Sequence, residues 1–255
     1  MNYSIVATLG PASSEPAIWQ ALLASGATGF RLNTSHLTIL ELMRWLERLV
    51  PFSRAAVPPT AIVLDLQGSK WRVGRFPAGA LAEVDVVELV CAETSPTVKL
   101  LPVPHLDFFQ AAPLSSGEIV LNDAKIRLVL ERAGETWLTA RVVQGGEIAA
   151  RKGITYTTSA YRQERLNEQD HEILAQTHGI ENLQYAISYV RDGLEMAYYR
   201  AELGGRKLIA KLERGPALVD AMEIARIADE VWLCRGDLGA ELGLKGMAEA
   251  AARFS

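Results

Sequence analysis

Cysteine is scarce in this chain, and its pattern excludes several classes of protein. Only Cys91 and Cys234 occur among 255 residues, far apart and in unrelated surroundings. We therefore expect no disulfide framework and no metal site built on cysteine pairs. Both thiols should be reduced, as in the cytoplasm.

Long runs of one residue class are also missing. The 26 Lys and Arg and the 30 Asp and Glu residues give a net charge of −4, and no basic stripe awaits a nucleic acid. No 18 apolar residues follow one another, and the first residues lack the cationic and apolar regions of a secretory signal. We expect a soluble, cytoplasmic protein with no nucleic-acid or membrane partner.

What is present is ordinary for a globular protein. Hydrophobic residues make up 49% of the chain and charged residues 22%, which argues against disorder. A length of 255 residues predicts one large α/β domain, or one domain that carries an insertion.

Residues 1–74 alternate short apolar runs with longer amphipathic ones. The strand-like runs are SIVATLG, TGFRLNTSH and TAIVLDLQG, and the helix-like runs between them are EPAIWQALLASG and LTILELMRWLERLV. This order predicts a parallel sheet. The continuous apolar run AIVLDL predicts a strand that is covered on both faces.

Residues 75–154 change to strand-like pieces with few helical stretches, which predicts a small all-β insert. From residue 155 the strand–helix order resumes with three further units. About six βα units result, whereas a complete (β/α)₈ barrel takes about 250 residues. The strands could form an open sheet, a smaller closed structure or an incomplete barrel.

Polar side chains cluster where the second predicted strand ends. Arg31, Asn33 and Ser35 share one face by the two-residue repeat of a strand, and His36 follows them. A guanidinium, an amide and a hydroxyl at the carboxyl end of a parallel strand can hold a phosphorylated or anionic ligand. A polar strand face turned to water is the alternative.

Two later strands end in charged residues. Lys211 and Glu213 end one of them, and Arg235, Gly236 and Asp237 end the next. Two carboxylates at neighbouring strand ends can share a divalent ion such as Mg²⁺. Lys211 could then neutralise a transferring phosphoryl group or a developing enolate. An ordinary Lys–Glu ion pair is the alternative.

The third strand brings Asp65, followed by Lys70 and Arg72 after a turn at Gly68. The turn could aim both cations inward. Surface charges explain this segment equally well.

Together these segments resemble the pyruvate kinase family. The matching stretches, in the family's order, are IVATLGPASS, GATGFRLNTSH, IVLDLQGSKWRVG, VLNDAKIRLVL, GGEIAARKGI, YAISYVR, KLIAKLERGPAL and VWLCRGDLGAELG. The resemblance implies an α/β fold with a (β/α)₈ TIM-type barrel, of which about six βα units are present. Residues 1–74 and 155–255 would form the barrel domain and residues 75–154 an all-β lid. The implied reaction transfers the phosphoryl group of phosphoenolpyruvate to ADP.

The resemblance also assigns roles to residues. It implies catalytic roles for Lys211 and Arg31, with Arg31 on the phosphoryl group and Lys211 stabilising that group and the enolate. Glu213 and Asp237 would ligate Mg²⁺ or Mn²⁺, and the backbone of Gly236 and Asp237 would receive the substrate carboxylate. The nucleotide would be bound by Arg72, Lys152, Asn33 and His36.

Many members of the family bind K⁺ through positions that match Asn33, Ser35, Asp65 and the residue after it. Here that last residue is Leu66, and Lys70 stands where K⁺-dependent members carry Glu. The site requires one positive charge near the phosphoryl oxygens, which the ammonium of Lys70 can supply. We therefore predict that the chemistry does not require K⁺.

The chain ends one helix after the sixth predicted strand. The seventh and eighth strands, the proton-delivering Thr and the C-terminal domain of the family are not in it. Six strands alone would leave two unpaired edges. Either the chain is a piece of a longer protein, or a partner or second copy covers the edges, as in a homo-oligomer.

Two other functions remain open. A metal-dependent aldolase or lyase acting on pyruvate enolate would need Glu213 and Asp237 but not Arg72 and Lys152. A non-catalytic protein that binds phosphorylated ligands would need neither turnover nor Lys211.

Overall fold

The computed structural model describes residues 3–112, 117–122, 125–157, 162 and 164–254. Its strands, in chain order, are β1 (Val6–Leu9), β2 (Gly29–Asn33), β3 (Ala61–Leu66), β4 (Gly79–Leu81), β5 (Val86–Val90), β6 (Leu100–Pro102), β7 (Glu118–Leu121), β8 (Ile126–Ala133), β9 (Trp137–Gln144), β10 (Gly146–Ile148), β11 (Ile154–Tyr156), β12 (Leu183–Ile187), β13 (Lys207–Leu212) and β14 (Glu230–Leu233). Its helices are α1 (Pro16–Ala24), α2 (Ile39–Ala55), α3 (Leu106–Gln110), α4 (Glu168–Gln176), α5 (Gly193–Leu203), α6 (Gly215–Val219), α7 (Ala221–Ile227) and α8 (Arg235–Arg253).

Six strands form one sheet in the order β1-β2-β3-β12-β13-β14. The four pairings from β1 to β13 are parallel. Residues 62–66 of β3 are all buried, as expected for a strand with both faces covered. The predicted α/β fold, with six strands joined by helical segments and a β-rich insert, is confirmed.

Three helices of this region begin at side-chain caps. Thr38 and Glu41 form a reciprocal capping box at the start of α2. The side chains of Asn167 and Asp192 accept backbone N–H bonds at the starts of α4 and α5. These caps fix where each helix begins relative to the strand before or after it.

The β-rich region forms a second sheet in the order β11-β7-β8-β9-β5-β6, beside a small pair of β10 and β4. Its core includes five aromatic side chains, and the rings of Phe108 and Tyr156 stack with centroids 4.6 Å apart. The Trp71 ring meets both of them edge-on. This sheet therefore has a hydrophobic core of its own.

The chain divides into two compact units. We call Met1–Gly68, Leu166–Leu212 and Asp220–Trp232 the first unit, and Ser69–Arg165, Glu213–Val219 and Leu233–Ser255 the second unit.

Two segments differ from the sequence-based expectation. The strand β2 ends at Asn33, and Ser35 lies in a 3₁₀ turn because the Asn33 side chain accepts the N–H of Ser35 at 3.3 Å. Only Arg31 and Asn33 therefore share a strand face. Likewise β14 ends at Leu233, so that Gly236 and Asp237 occupy the first turn of α8 rather than a strand end.

Across the described part of the chain, the helices are too short or too polar to pass through a lipid bilayer.

Candidate functional site

In the first unit, two cations converge on one buried carboxylate. Arg31 on β2 donates its Nε to Oδ2 of Asp65 at 2.7 Å. Lys211 near the end of β13 places Nζ 3.1 Å from the other oxygen, Oδ1. The hydroxyl of Ser188, just after β12, accepts a hydrogen bond from Lys211 and donates one to Asp65. We call Arg31, Asp65, Ser188 and Lys211 the Asp65 cluster.

The cluster brings two cations to one carboxylate. Asp65 is only 2% exposed, and a carboxylate buried to this degree needs cationic partners and hydrogen bonds. Arg31 and Lys211 are thereby held close together, and a ligand anion that reaches both would be attracted to them.

The backbone on both sides of Asp65 is fixed by hydrogen bonds. The hydroxyl of Thr34 donates to the carbonyl of Asp65 at 2.8 Å. The buried carboxylate of Asp170 on α4 accepts the backbone N–H groups of Gln67 at 3.1 Å and Gly68 at 3.0 Å. The turn after β3 is therefore held from α4, a helix that begins about a hundred residues later in the chain.

In the second unit, Lys70 and Asp237 form an ion pair. Lys70 Nζ lies 2.9 Å from Asp237 Oδ1, with side-chain exposures of 11% and 20%. Gly153 packs against the Lys70 side chain so closely that a Cβ there would lie 2.5 Å from Lys70 Cε. The absence of a side chain at Gly153 gives the lysine room to reach Asp237.

The carboxylates predicted to bind a metal, Glu213 and Asp237, both belong to the second unit. Glu213 is 3% exposed, and the guanidinium of the next residue, Arg214, donates to the carbonyl of Tyr156 at 2.9 Å. Among the described residues, no group of three or more His, Cys, Asp or Glu side chains forms a metal cage. Two hard oxygen donors suit Mg²⁺ or Mn²⁺, which commonly complete their coordination with substrate oxygens and water.

The first turn of α8 contains Gly236 and Asp237. The first intrahelical bond from this turn runs from the N–H of Leu238 to the carbonyl of Cys234 at 3.1 Å. The N–H groups of a helix's first turn point out of the helix, and the helix dipole adds partial positive charge there. This turn can receive a carboxylate.

Arg72 and Lys152 lie on neighbouring stretches of the second unit. An antiparallel bridge joins Arg72 to Gly153, and Arg72 Nη1 donates to the carbonyl of Arg151 at 2.8 Å. The N–H of Arg72 donates to the His105 ring at 3.3 Å. Burial, reinforced by the positive charge of Arg162, lowers the pKa of His105 to about 4, so this ring is neutral near pH 7.

Asn33 and His36 line a cavity of about 840 Å³ in the first unit. Leu9, Pro11 and Trp45 form part of its apolar wall, and Glu41 and Arg48 part of its polar wall. This volume falls within the usual range for small-molecule sites. The sequence indicated two of its residues but not the cavity itself.

The structure brings some predicted residues together and separates others into different units. The first unit contains Arg31, Asn33, Ser35, His36, Asp65 and Lys211, and the second contains Lys70, Arg72, Lys152, Glu213, Gly236 and Asp237. Sequence reasoning missed Ser188 and Asp170. The rule that selected Lys211, a polar residue at the carboxyl end of a parallel strand, also applies to Ser188.

Comparisons with known proteins agree on one family. The family model described as "Pyruvate kinase, barrel domain" matches residues 1–252. A pyruvate kinase of Methylorubrum extorquens is 34% identical over 245 residues, which are 94% of this chain and 51% of that protein. Human pyruvate kinase PKLR is 30% identical and aligns with 94% of this chain and 45% of its own length.

A solved structure is similar over nearly the whole chain. The crystal structure of pyruvate kinase from Pyrobaculum aerophilum matches with a TM-score of 0.80 and 28% identity, over 98% of this chain and 57% of that one. The chain thus spans about half the length of the curated relatives it matches.

Proposed function

The chain belongs to the pyruvate kinase family, and from this premise we propose that it serves phosphoryl transfer from phosphoenolpyruvate to ADP. In that reaction the bond between phosphorus and the enol oxygen breaks, a bond forms to the terminal phosphate of ADP, and the enolate takes up a proton. The products are pyruvate and ATP. The observation that carries the proposal is that Arg31 and Lys211, from two strands, both contact the buried carboxylate of Asp65.

Arg31 and Lys211 provide the cations for the phosphoryl group. Both are already held by Asp65, through Arg31 Nε at 2.7 Å and Lys211 Nζ at 3.1 Å. Their positions are thus set before substrate binds, and charge that develops in the transition state meets preorganised donors. Lys211 would also stabilise the negative charge that forms on the enol oxygen.

Glu213 and Asp237 are proposed to hold Mg²⁺ or Mn²⁺. Held there, such an ion would supply positive charge that offsets the charge of the transferring phosphoryl group. The N–H groups of Gly236 and Asp237, in the first turn of α8, would receive the carboxylate of phosphoenolpyruvate.

Lys70 is proposed to replace K⁺. Its ammonium lies 2.9 Å from Asp237 Oδ1, and the tight packing of Gly153 on its side chain restricts where the charge can lie. A covalently attached monovalent cation does not depend on the salt composition of the medium. The proposal therefore includes K⁺-independent activity.

The nucleotide is proposed to contact Arg72 and Lys152 in the second unit, and Asn33 and His36 at the cavity of the first unit. Cations suit the phosphates, and a cavity with apolar walls suits the base. We also propose a barrel domain at residues 1–74 and 155–255, a lid at 75–154, a cytoplasmic location and a homo-oligomer. The strands β1 and β14 end the order of the described sheet, and unpaired edges favour association.

The direct test measures whether this chain forms pyruvate from phosphoenolpyruvate. The reaction contains ADP and Mg²⁺, and a coupled assay monitors the rate of pyruvate formation with and without ADP. We expect Lys211→Met to lower the rate by about 10³-fold, because a charge that stabilises the transition state is lost. Lys207→Met on the same strand is the matched control and should leave the rate unchanged.

Two other outcomes would replace the proposal. Cleavage of a pyruvate aldol adduct without any need for ADP would indicate an aldolase or lyase. Binding of phosphoenolpyruvate by calorimetry without turnover, and with the same affinity after Lys211→Met, would indicate a non-catalytic binding protein.

A further inference from the structure

Ser188 lies at the centre of the Asp65 cluster, yet nothing in the proposed chemistry has used it so far. Its Oγ accepts a hydrogen bond from Lys211 Nζ at 2.8 Å and donates one to Asp65 Oδ1 at 3.1 Å. A hydroxyl carries one donor and two acceptor lone pairs, so both bonds form at once. Ser188 is 7% exposed, and little water competes for either bond.

The three polar atoms form a closed triangle. Lys211 Nζ is 2.8 Å from Ser188 Oγ and 3.1 Å from Asp65 Oδ1, and the remaining side joins the two oxygens at 3.1 Å. A lysine side chain is flexible and its ammonium can rotate. Each fixed acceptor restricts where Nζ can lie, and Ser188 Oγ adds such a restriction to that of Asp65.

The two oxygens of Asp65 are divided between the two cations. Oδ2 accepts from Arg31 Nε at 2.7 Å, and Oδ1 serves Ser188 and Lys211. The hydroxyl of Ser188 thus gives Lys211 a second partner that Arg31 does not share. This keeps the two positive charges on opposite oxygens of one carboxylate.

The backbone of Ser188 is itself held in place. Its N–H donates to the carbonyl of Leu66 at 3.3 Å. Its carbonyl oxygen lies against Gly68, where an added Cβ would be only 2.3 Å away. Since Asp170 also fixes Gly68, the hydroxyl of Ser188 projects from a rigid turn.

We propose that Ser188 is a positioning residue, whose hydroxyl fixes the ammonium of Lys211 at the place where it meets the substrate. This inference rests on the proposed function for the identity of the substrate, but not for the geometry. A purely structural role, in which the hydroxyl only solvates a buried carboxylate, would affect stability and leave Lys211 unchanged.

The first experiment measures Lys211 itself and needs no enzymatic activity. The chain receives a short pulse of acetic anhydride, and acetylation of each lysine is quantified by peptide mass spectrometry. In Ser188→Ala, Lys211 should react about threefold to tenfold faster, because one hydrogen bond to a charged group is lost. Lys207, on the same strand, is the internal reference and should not change.

The matched control is Ser53→Ala. Ser53 on α2 is also a buried serine of the first unit, and its hydroxyl donates to the carbonyl of Thr60. This variant loses a comparable hydrogen bond but should leave Lys211 acetylation as in the parent chain. Ser188→Thr keeps a hydroxyl and should return the Lys211 rate towards the parent value.

Equal Lys211 acetylation in the parent chain and in folded Ser188→Ala would overturn the proposal. If Ser188→Ala does not melt cooperatively, Ser188→Cys takes its place. Its thiol is a weaker hydrogen-bonding group, so the same increase is expected and its absence has the same meaning.

The second experiment links the position of Lys211 to turnover. Ser188→Ala should lower kcat about ten- to hundredfold while KM for phosphoenolpyruvate changes little, because a misplaced catalytic cation affects the transition state more than binding. A rise in KM with constant kcat would contradict a positioning role. A parent chain without phosphoryl transfer would reject the proposed function alone, since the acetylation experiment still decides the role of Ser188.

Discussion

Asp65 in the first unit and Asp237 in the second are both paired with lysine, but their surroundings differ. Asp65 is 2% exposed and is held by Arg31, Ser188 and Lys211. Asp237 has a side-chain exposure of 20% and lies in the first turn of a helix, where Lys70 contacts one oxygen. A carboxylate locked among several partners organises the cations around it, whereas a more accessible one can take up a metal ion.

Neutralising each carboxylate in turn tests this difference most directly. Asp65→Asn should lower the free energy of unfolding by about 3–5 kcal/mol, because two cations lose their shared buried anion. Asp237→Asn should lower it by about 1 kcal/mol or less, since its pair is partly solvated. Urea denaturation of both variants provides the measurement.

Equal losses of stability in the two variants would remove the distinction. Activity should not follow stability here. Asp237→Asn is expected to abolish phosphoryl transfer because it removes a proposed metal ligand, although it barely changes the unfolding midpoint.

A second test concerns the rigid turn beside Asp65. Gly68 has φ +58°, and a Cβ there would lie 2.3 Å from the carbonyl oxygen of Ser188. Gly68→Ala should destabilise the chain by about 3 kcal/mol, the sum of backbone strain and a clash. Thermal unfolding measures the effect.

Gly204 is a matched control for this substitution. Its φ of +59° is nearly the same, but no atom lies within 4 Å of an added Cβ. Gly204→Ala should therefore cost about 1 kcal/mol from strain alone. If both variants lose the same free energy of unfolding, the close packing of Ser188 against Gly68 does not contribute to the effect of Gly68→Ala.

A third test measures how the stability of the chain depends on pH through His105, a residue of the second unit. Burial lowers the pKa of His105 to about 4 from an ordinary 6.5. Between these values the unfolded chain binds a proton that the folded chain does not, so stability falls as pH decreases through this window. The contribution is about 3 kcal/mol and is fully present above pH 6.5.

His105→Gln should remove that part of the pH dependence, as measured by urea midpoints between pH 7 and pH 4. The control is His171→Gln, which changes an exposed residue on α4 and should leave the fall with pH intact. An unchanged slope in His105→Gln would show that other groups cause it.

The smallest expected effect concerns Lys70. Lys70→Gln removes the ammonium beside Asp237, and added K⁺ should then raise the rate of phosphoryl transfer about tenfold at constant ionic strength. The parent chain should not respond to K⁺. Tetramethylammonium, which is too large to enter such a site, is the ionic control, and activation of the parent chain by K⁺ would refute the role of Lys70.

The sequence could predict the fold because its strands and helices have strong local patterns. Alternating apolar and amphipathic runs gave six strands, and AIVLDL read correctly as a strand with both faces covered. Short elements were not predicted, because the three residues of β6 and the five of α3 are too few to show a periodic pattern of apolar residues. The start of α8 was also missed, because Cys234 at its N-cap makes no side-chain capping bond.

The candidate site was predictable only where single strand ends carry charge. Arg31, Asp65 and Lys211 could each be selected in this way, but the contact of both cations with Asp65 could not. Contacts between distant residues leave no local pattern. Asp170 bonds Gln67 across 103 residues, and Lys70 meets Asp237 across 167.

Glu41 both lines the cavity of the first unit and caps a helix. It forms part of the wall of the 840 Å³ cavity, and its carboxylate also accepts the N–H of Thr38 at 2.7 Å to start α2. A substitution intended to retune what the cavity accepts would therefore also loosen the beginning of a helix. A substitution of Trp45, which lines the same cavity from within α2 and not at its start, would leave the capping bonds of that helix in place.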